Sequence, residues 1–561
     1  MILDIKKISF VLLLISSLVV TLVSGQDVSL DKLGEQKAIK VSGGISAQNR
    51  FYMANGIEGR QDPYIWTLSG RLNFSIFGIA VPLSGTLTSQ NTSFAQPYNR
   101  LSIKPSYKWA KAHIGYSNMT YSTYTLAGHT FLGGGLELNP GKIRVAATYG
   151  RFASAVPIDI ATNQAFVPSF NRIGYGGKVG YGDDSNYVDF MFFSARDDED
   201  SWDVIPDSTT VFPGENKVLG VAWKFSKVKN LSLSGEFARS AYTTDIRDES
   251  VGNDALFSAF GLDKKVSTVI RNAFKFSTSY SLSGHTLSGT YERIDPDYQT
   301  MGAYFFNNDM ENITAAYATS IFKKKLALSV NGGLQRNNLF GTEQSESSRT
   351  IAAGNIVYAQ NPFSIGMSFS NYSAQVRYVL NSALDSLNAV VVTKATSVYG
   401  TYMLGGKSKD SHVFSVNLSR QSVSDDFASA DRSSNNLVMT GTFNYTVKLS
   451  SINTDMSVRF NYNKNDLGGI VTTRLGPGVS AKRNFFNDKL TTQTSLNYFS
   501  SEGNKTFNAL LTGSMQLKSS HTISANISFI QRTIVTSSTE ETSSSTSYGE
   551  TIATINYAYR F

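Results

Sequence analysis

Cysteine is absent from the 561 residues. That excludes disulfides, thiolate metal sites, cysteine nucleophiles and a lipid-modified cysteine anchor. Histidine is scarce, with 5 residues, and no HExxH zinc pattern or phosphate-cradling glycine loop occurs. The chain therefore implies no cofactor. Long apolar runs are missing as well. Ile8 to Val23 is mostly apolar, and nothing after it approaches the ~18 consecutive apolar residues of a membrane helix. Charge is not blocked: 51 Lys and Arg against 43 Asp and Glu give a formal +8, dispersed along the chain. Without a clustered basic face, nucleic acid is not an expected partner. No Pro/Ser linker or change of texture marks a domain boundary.

What is abundant is aromatic: 28 Tyr and 35 Phe, with 45 Gly. These residues fall in a period-2 pattern, the signature of strands with one apolar and one wet face. In 64–76 one face is Tyr64, Trp66, Leu68, Leu72, Phe74 and Ile76, and the other Thr67, Ser69, Arg71 and Asn73. In 455–462, Met456, Val458, Phe460 and Tyr462 oppose Asp455, Ser457, Arg459 and Asn461. Each run is about the 9–11 residues that a tilted strand needs to cross a bilayer. Backbone polar groups in lipid must all be paired, so such strands must close into a barrel.

Connections alternate in length. Short links are expected at Phe77-Gly78, Ala110-Lys111, 139–142, 323–325 and 518–521. Long ones are expected at about 153–170, 196–216, 240–264, 295–312, 373–388 and 533–549. Short turns on one side and long loops on the other belong to membrane barrels. A sandwich array, propeller or solenoid does not predict them. The predicted fold is all-β: one large antiparallel transmembrane barrel of about 26 strands, range 22 to 26.

The ends add to this. Lys6-Lys7, the apolar stretch and Val23-Ser24-Gly25 read as a cleaved signal peptide over 1–25 rather than a membrane anchor. A short periplasmic segment, 26–38, then precedes the barrel of 39–561. The last strand alternates and closes on Tyr557, Tyr559 and Phe561. This resembles the C-terminal signal of Gram-negative outer-membrane β-barrels, which the barrel-insertion machinery reads. The resemblance implies an outer-membrane protein with both termini periplasmic, in contact with membrane lipid and lipopolysaccharide. The chain departs from TonB-dependent receptors, which carry a plug domain, and from lipopolysaccharide exporters and assembly factors, which carry periplasmic domains. It is similar to a large, plugless, porin-like barrel.

If the apolar face meets lipid, the other lines a lumen. The inner parity carries a basic ladder: Arg71, Arg100, Lys104, Lys108, Arg144, Arg172 and Lys178. These favour anionic small solutes or a polysaccharide, or act as struts paired with Asp189, Glu236 or loop carboxylates. Asp197, Asp198, Glu199, Asp200 and Asp203 make one external loop acidic. Solvated charge, bridging to lipopolysaccharide through a divalent cation, or a Ca²⁺ site are the alternatives, and no EF-hand spacing is present. Loop aromatics Tyr304, Phe305, Phe306, Phe257 and Phe260 are expected to constrict the lumen, dock a partner or pack the loops. His285, His412 and His521 fall at turns, and no catalytic constellation is found. Two functions stay open: a channel for polar, anionic solutes, and a non-conducting accessory barrel that docks a protein partner through its external loops.

Overall fold

A computed structural model describes residues 39–561, except 77–78, 91–98, 158–167, 204–210, 253, 305–306, 344, 379–388, 406–409, 428–434 and 538–542. Every barrel strand pairs antiparallel with its neighbours in the chain. The first, Ile39–Asn55, also pairs with the last, Ser543–Arg560. This closes a 26-stranded barrel, the upper end of the expected range. The seam runs from Gly44 opposite Arg560 to Asn55 opposite Gly549. It is finished by Gly43 and Phe561, whose N–H and C=O groups exchange hydrogen bonds of 2.9 and 3.1 Å.

The alternation seen in the sequence sorts side chains as expected. Met456, Val458 and Phe460 stand 45–54% exposed on the outer wall. The alternate residue Ser457 turns inward and hydrogen-bonds Thr446 at 2.9 Å. One strand is broken: Arg100–Ile103 and Ser106–Tyr107 flank Lys104-Pro105. Pro105 has no N–H to donate to a ladder, and its carbonyl instead accepts from Ala112 at 2.8 Å.

One rim carries the short connections together with the two ends of the described chain, Ile39 and Phe561. The turn expected at Ala110-Lys111 lies at Lys108-Trp109, and Ala110 already begins the next strand. Phe77-Gly78 lies outside the described residues. The opposite rim is uneven. Its long connections, 154–170, 199–214, 244–267 and 295–309, belong to the first half. In the second half the strands run on: of the loops expected at 373–388 and 533–549, residues 373–378, 533–537 and 543–549 are strand, and the rest lie outside the described residues. Ser/Thr-rich segments read as loop because their polarity hides a strand that continues beyond the apolar belt. Gly468 and Gly469, at φ of +57° and +91°, make a two-residue hairpin there.

The long loops do not all go the same way. Segment 244–267 folds down over the outer wall. Phe257 and Leu262 are buried against Leu219, Ala241 and Ile270, and Phe260 stacks on Phe192 with ring centroids 5.0 Å apart. Phe257 and Phe260 therefore do not constrict the lumen. Tyr304 does turn inward, stacking on His129 at 4.0 Å. Phe305 and Phe306 lie outside the described residues.

Because the barrel has no other closure than this seam, a proline within it has no tolerant position. Asn49→Pro, opposite both Trp66 and Ile555, should abolish the heat-modifiable folded band on electrophoresis. A folded band of normal intensity would refute the seam.

Candidate functional site

The lumen of the first half is packed by the chain itself. Segments 121–126 and 295–304 enter it as two straps lying across the inward faces of the strands between Ala110–Thr120 and Met310–Ile321. Tyr124, Leu126, Tyr298 and Met301 join Phe131, Phe152, Met191, Phe193 and Val218 in one buried apolar cluster. The straps fit against the wall and against each other through glycines, Gly220 in the wall and Gly302 in the second strap. A Cβ on Gly220 would stand 2.6 Å from Thr125 Cγ2, and one on Gly302 2.4 Å from the Thr125 carbonyl oxygen.

Polar latches fix the straps. The Glu236 carboxylate accepts the backbone N–H of Tyr124 at 2.8 Å and of Thr123 at 3.3 Å. Tyr124 donates its hydroxyl to Glu292 at 2.6 Å, and Tyr298 donates to the Tyr124 carbonyl at 2.7 Å. Asn216 accepts the N–H of Met301 at 3.0 Å while donating to Ser240 at 2.8 Å. Burial, then the hydrogen bond to Glu292, pushes the Tyr124 hydroxyl pKa up. Burial, then the charge of Glu236, does the same at Tyr298. Raised pKa values mean that both hydroxyls stay protonated, so their contribution is complete below pH ~10 and lost only as pH rises beyond it.

The predicted basic ladder divides. Arg144 makes a bidentate bridge to Asp189 at 2.9 and 3.2 Å, with Asp184 at 3.3 Å and Lys178 3.7 Å from Asp189. Arg172 pairs with Asp197 at 2.7 and 3.0 Å. These three are struts. Lys108 leaves the wall altogether: it sits in the rim turn at φ +49°, its ammonium 5.2 Å from the Tyr107 ring centre.

Arg71, Arg100 and Lys104 are brought together instead. They line a recess of about 560 Å³ in the wall of the first and last strands, with Ser46, Ser69, Ser84, Thr86 and Ser102, and no carboxylate among its lining residues. Arg560, which the ladder omitted, completes it. Gly44 pairs with Arg71 on one side and Arg560 on the other, leaving a gap between the two guanidinium groups. The inner parity of the last strand could have revealed Arg560, but strand order had to join the two ends of the sequence first.

The acidic loop is not one site. Asp197 points inward to Arg172, and Asp198 hydrogen-bonds the N–H of Asp200 at 3.3 Å in a short 3-10 turn. Glu199, Asp200 and Asp203 are exposed. Among the described residues no group of three or more His, Asp or Glu is arranged to hold a metal ion.

Three histidines do form a set that the sequence did not disclose. His285 and His521 begin strands at the short-turn rim, and His412 is the second residue of one. Each contacts, through Nδ1, the hydroxyl of an outward tyrosine on the adjacent strand: Tyr317, Tyr445 and Tyr557, at 2.8, 2.8 and 2.7 Å. Repeated rings with polar tips at one height suit a bilayer–water interface. Tyr559 also points outward beside His521, and Phe561 packs on Tyr559 at 5.3 Å.

No family model and no curated protein matches the chain. Solved structures do. The translocation pore of the P pilus usher PapC shares 11% identity at TM-score 0.35, over 93% of this chain and 99% of that one. OpdQ of Pseudomonas aeruginosa shares 15% at 0.34, over 64% and 97%. OprD of the same organism shares 12% at 0.32, over 62% and 91%. The likeness is one of barrel fold alone.

Glu236→Ala should strand two strap N–H groups, each costing about 1–3 kcal/mol. The expected outcome is a lower denaturation midpoint, with Glu236→Gln falling less because it keeps an acceptor oxygen. Equal midpoints for Ala and wild type would show that the straps do not depend on this latch.

Proposed function

We propose that the protein is an outer-membrane channel for polar solutes, with anions drawn to the recess of Arg71, Arg100, Lys104 and Arg560. The observation that carries this reading is the contrast within one lumen. Arg144, Arg172 and Lys178 are bridged to carboxylates, while the recess that Arg71, Lys104 and Arg560 line is walled by hydroxyl groups, with no carboxylate among its lining residues. Several Arg and Lys side chains along one low-dielectric wall raise local anion concentration. Guanidinium groups either side of Gly44 suit carboxylate or phosphate oxygens.

In this reading the short-turn rim and both ends of the described chain face the periplasm, and the His–Tyr pairs lie at that interface. Tyr557, Tyr559 and Phe561 serve as the insertion signal. The passage follows the second-half wall, lined by Ser329, Asn331, Asn355, Ser368, Ser397 and Gln421, where no strap intrudes among the described residues. The alternative, a non-conducting barrel that docks a protein partner, is favoured by the outward flap of 244–267, which exposes Val251, Leu256 and Val266.

The test is single-channel recording in a planar bilayer with a KCl gradient. Steps should be anion-selective, and glutamine at Arg71, Arg100, Lys104 and Arg560 should bring the reversal potential towards zero. The effect should be large at ~0.1 M salt, where the screening length is ~10 Å, and small at ~1 M, where it is ~3 Å. A silent barrel would overturn the channel; unchanged selectivity in the variant would overturn the recess.

A further inference from the structure

A second group of bases lies on the outer wall, where the lumen gives it no role. On the strand Ser411–Phe427 the outward residues from the short-turn rim are His412, Phe414, Val416, Leu418 and then Arg420. On Thr454–Leu467 they are Met456, Val458, Phe460, Tyr462 and then Lys464. On Ala389–Leu404, followed backwards from Leu404, they pass Tyr402 and Val398 to Lys394. At about 3.3 Å per residue and a tilt of about 40°, Arg420 and Lys464 stand about 20 Å, and Lys394 about 25 Å, above the rim residues. That is close to the height of an apolar belt, so they mark its far edge.

Register brings them together. Arg420 pairs with Met439, and Met439 with Lys464, so two bases bracket one methionine across three strands. Lys394 lies one diagonal position away, beside the Thr396–Arg420 pair. Lys394 and Arg420 are exposed. None of the three makes an ion pair among the described residues, and Asp466, next outward on the Lys464 strand, is held by the N–H of Gly469.

The same wall contains a second row of the same design, and it shows what is missing here. Arg293 pairs with Glu311, and Glu311 with Arg336, again base–centre–base across three outward positions. There the centre is a carboxylate, which bridges to Arg336 and accepts from Tyr291 at 2.8 Å. In the Arg420–Met439–Lys464 row the centre is apolar, so the anion has to come from outside. Beneath it lie Leu418, Phe443 and Tyr462, an acyl-compatible surface.

We propose that Arg420 and Lys464, with Lys394, bind a phosphate of an outer-leaflet glycolipid, whose oxygens take the place that Glu311 fills in the other row. Charge-assisted hydrogen bonds hold the phosphate, and the acyl chains lie on the apolar belt below. The site rests on the membrane placement of the outer wall and not on conduction, so it stands or falls separately from the channel.

The experiment is retention of defined lipid by the full-length folded barrel in detergent, read by native mass spectrometry. The probes are bisphosphorylated lipid A, its dephosphorylated counterpart, and inorganic phosphate as competitor. Wild type should retain the phosphorylated lipid at least about tenfold better than the dephosphorylated one. Arg420→Gln with Lys464→Gln should lose that preference. So should Met439→Glu, which keeps both bases but supplies the carboxylate internally. Lys489→Gln, in an exposed turn of the short-turn rim, should keep it. All four proteins are first shown to give the heat-modifiable folded band. Equal retention of the two lipids by wild type, or an undiminished preference in both outer-wall variants, would overturn the proposal. Displacement by inorganic phosphate alone at equal concentration would overturn the glycolipid as ligand.

Discussion

Every other feature of this molecule depends on one backbone pairing, that of Ile39–Asn55 with Ser543–Arg560. An open edge in hydrocarbon leaves N–H and C=O groups with no water to bond, at several kcal/mol each. The sheet has no tolerable intermediate between open and closed in a bilayer. Closure also makes the recess, since Arg560 and Arg71 become neighbours only when the last strand meets the first across Gly44.

A closed barrel of 26 strands encloses more space than side chains from its wall alone can fill. Among the described residues the chain answers this on one side. Straps 121–126 and 295–304 build an apolar core inside the lumen, on a floor of inward glycines, and Glu236, Glu292 and Asn216 tie them down. The remaining wall is a ladder of short hydroxyl and amide side chains that bond across strands, as Ser368 does with Ser397 at 2.6 Å and Ser419 with Thr440 at 2.5 Å. The result is a thick wall facing a thin one.

Strand type, inward and outward parity and the number of strands were legible in the sequence, because period-2 alternation is a local signal. Met456, Val458 and Phe460 could be assigned a face from their spacing alone. Loop fate was not legible. Phe257 and Phe260 leave the lumen while Tyr124 and Tyr298 enter it, and composition does not separate the two pairs. The difference lies in what the wall offers: Leu219, Ala241 and Ile270 outside, glycines and carboxylates inside. Lys108 was misplaced for a local reason. Pro105 breaks the pairing, and the chain turns at Lys108-Trp109 before the alternation can continue.

The basic residues show why parity alone cannot assign a role. Arg144, Arg172 and Arg71 all point inward by the same rule, yet two are braces and one lines an open recess. What decides is the partner strand. Gly180, opposite Arg144, leaves room for Asp189 one strand further on, and Arg172 faces Asp197 directly. Arg71 faces Gly44 and Ser84. On the outer wall the same arithmetic separates Arg293 and Arg336, which flank Glu311 and are bridged to Asp295 and Glu311, from Arg420 and Lys464, which flank Met439. A charge in a barrel wall is structural when the adjacent strand supplies its counter-ion. Where the adjacent strand supplies glycine, serine or methionine, we propose that the counter-ion comes from the lumen or from the membrane.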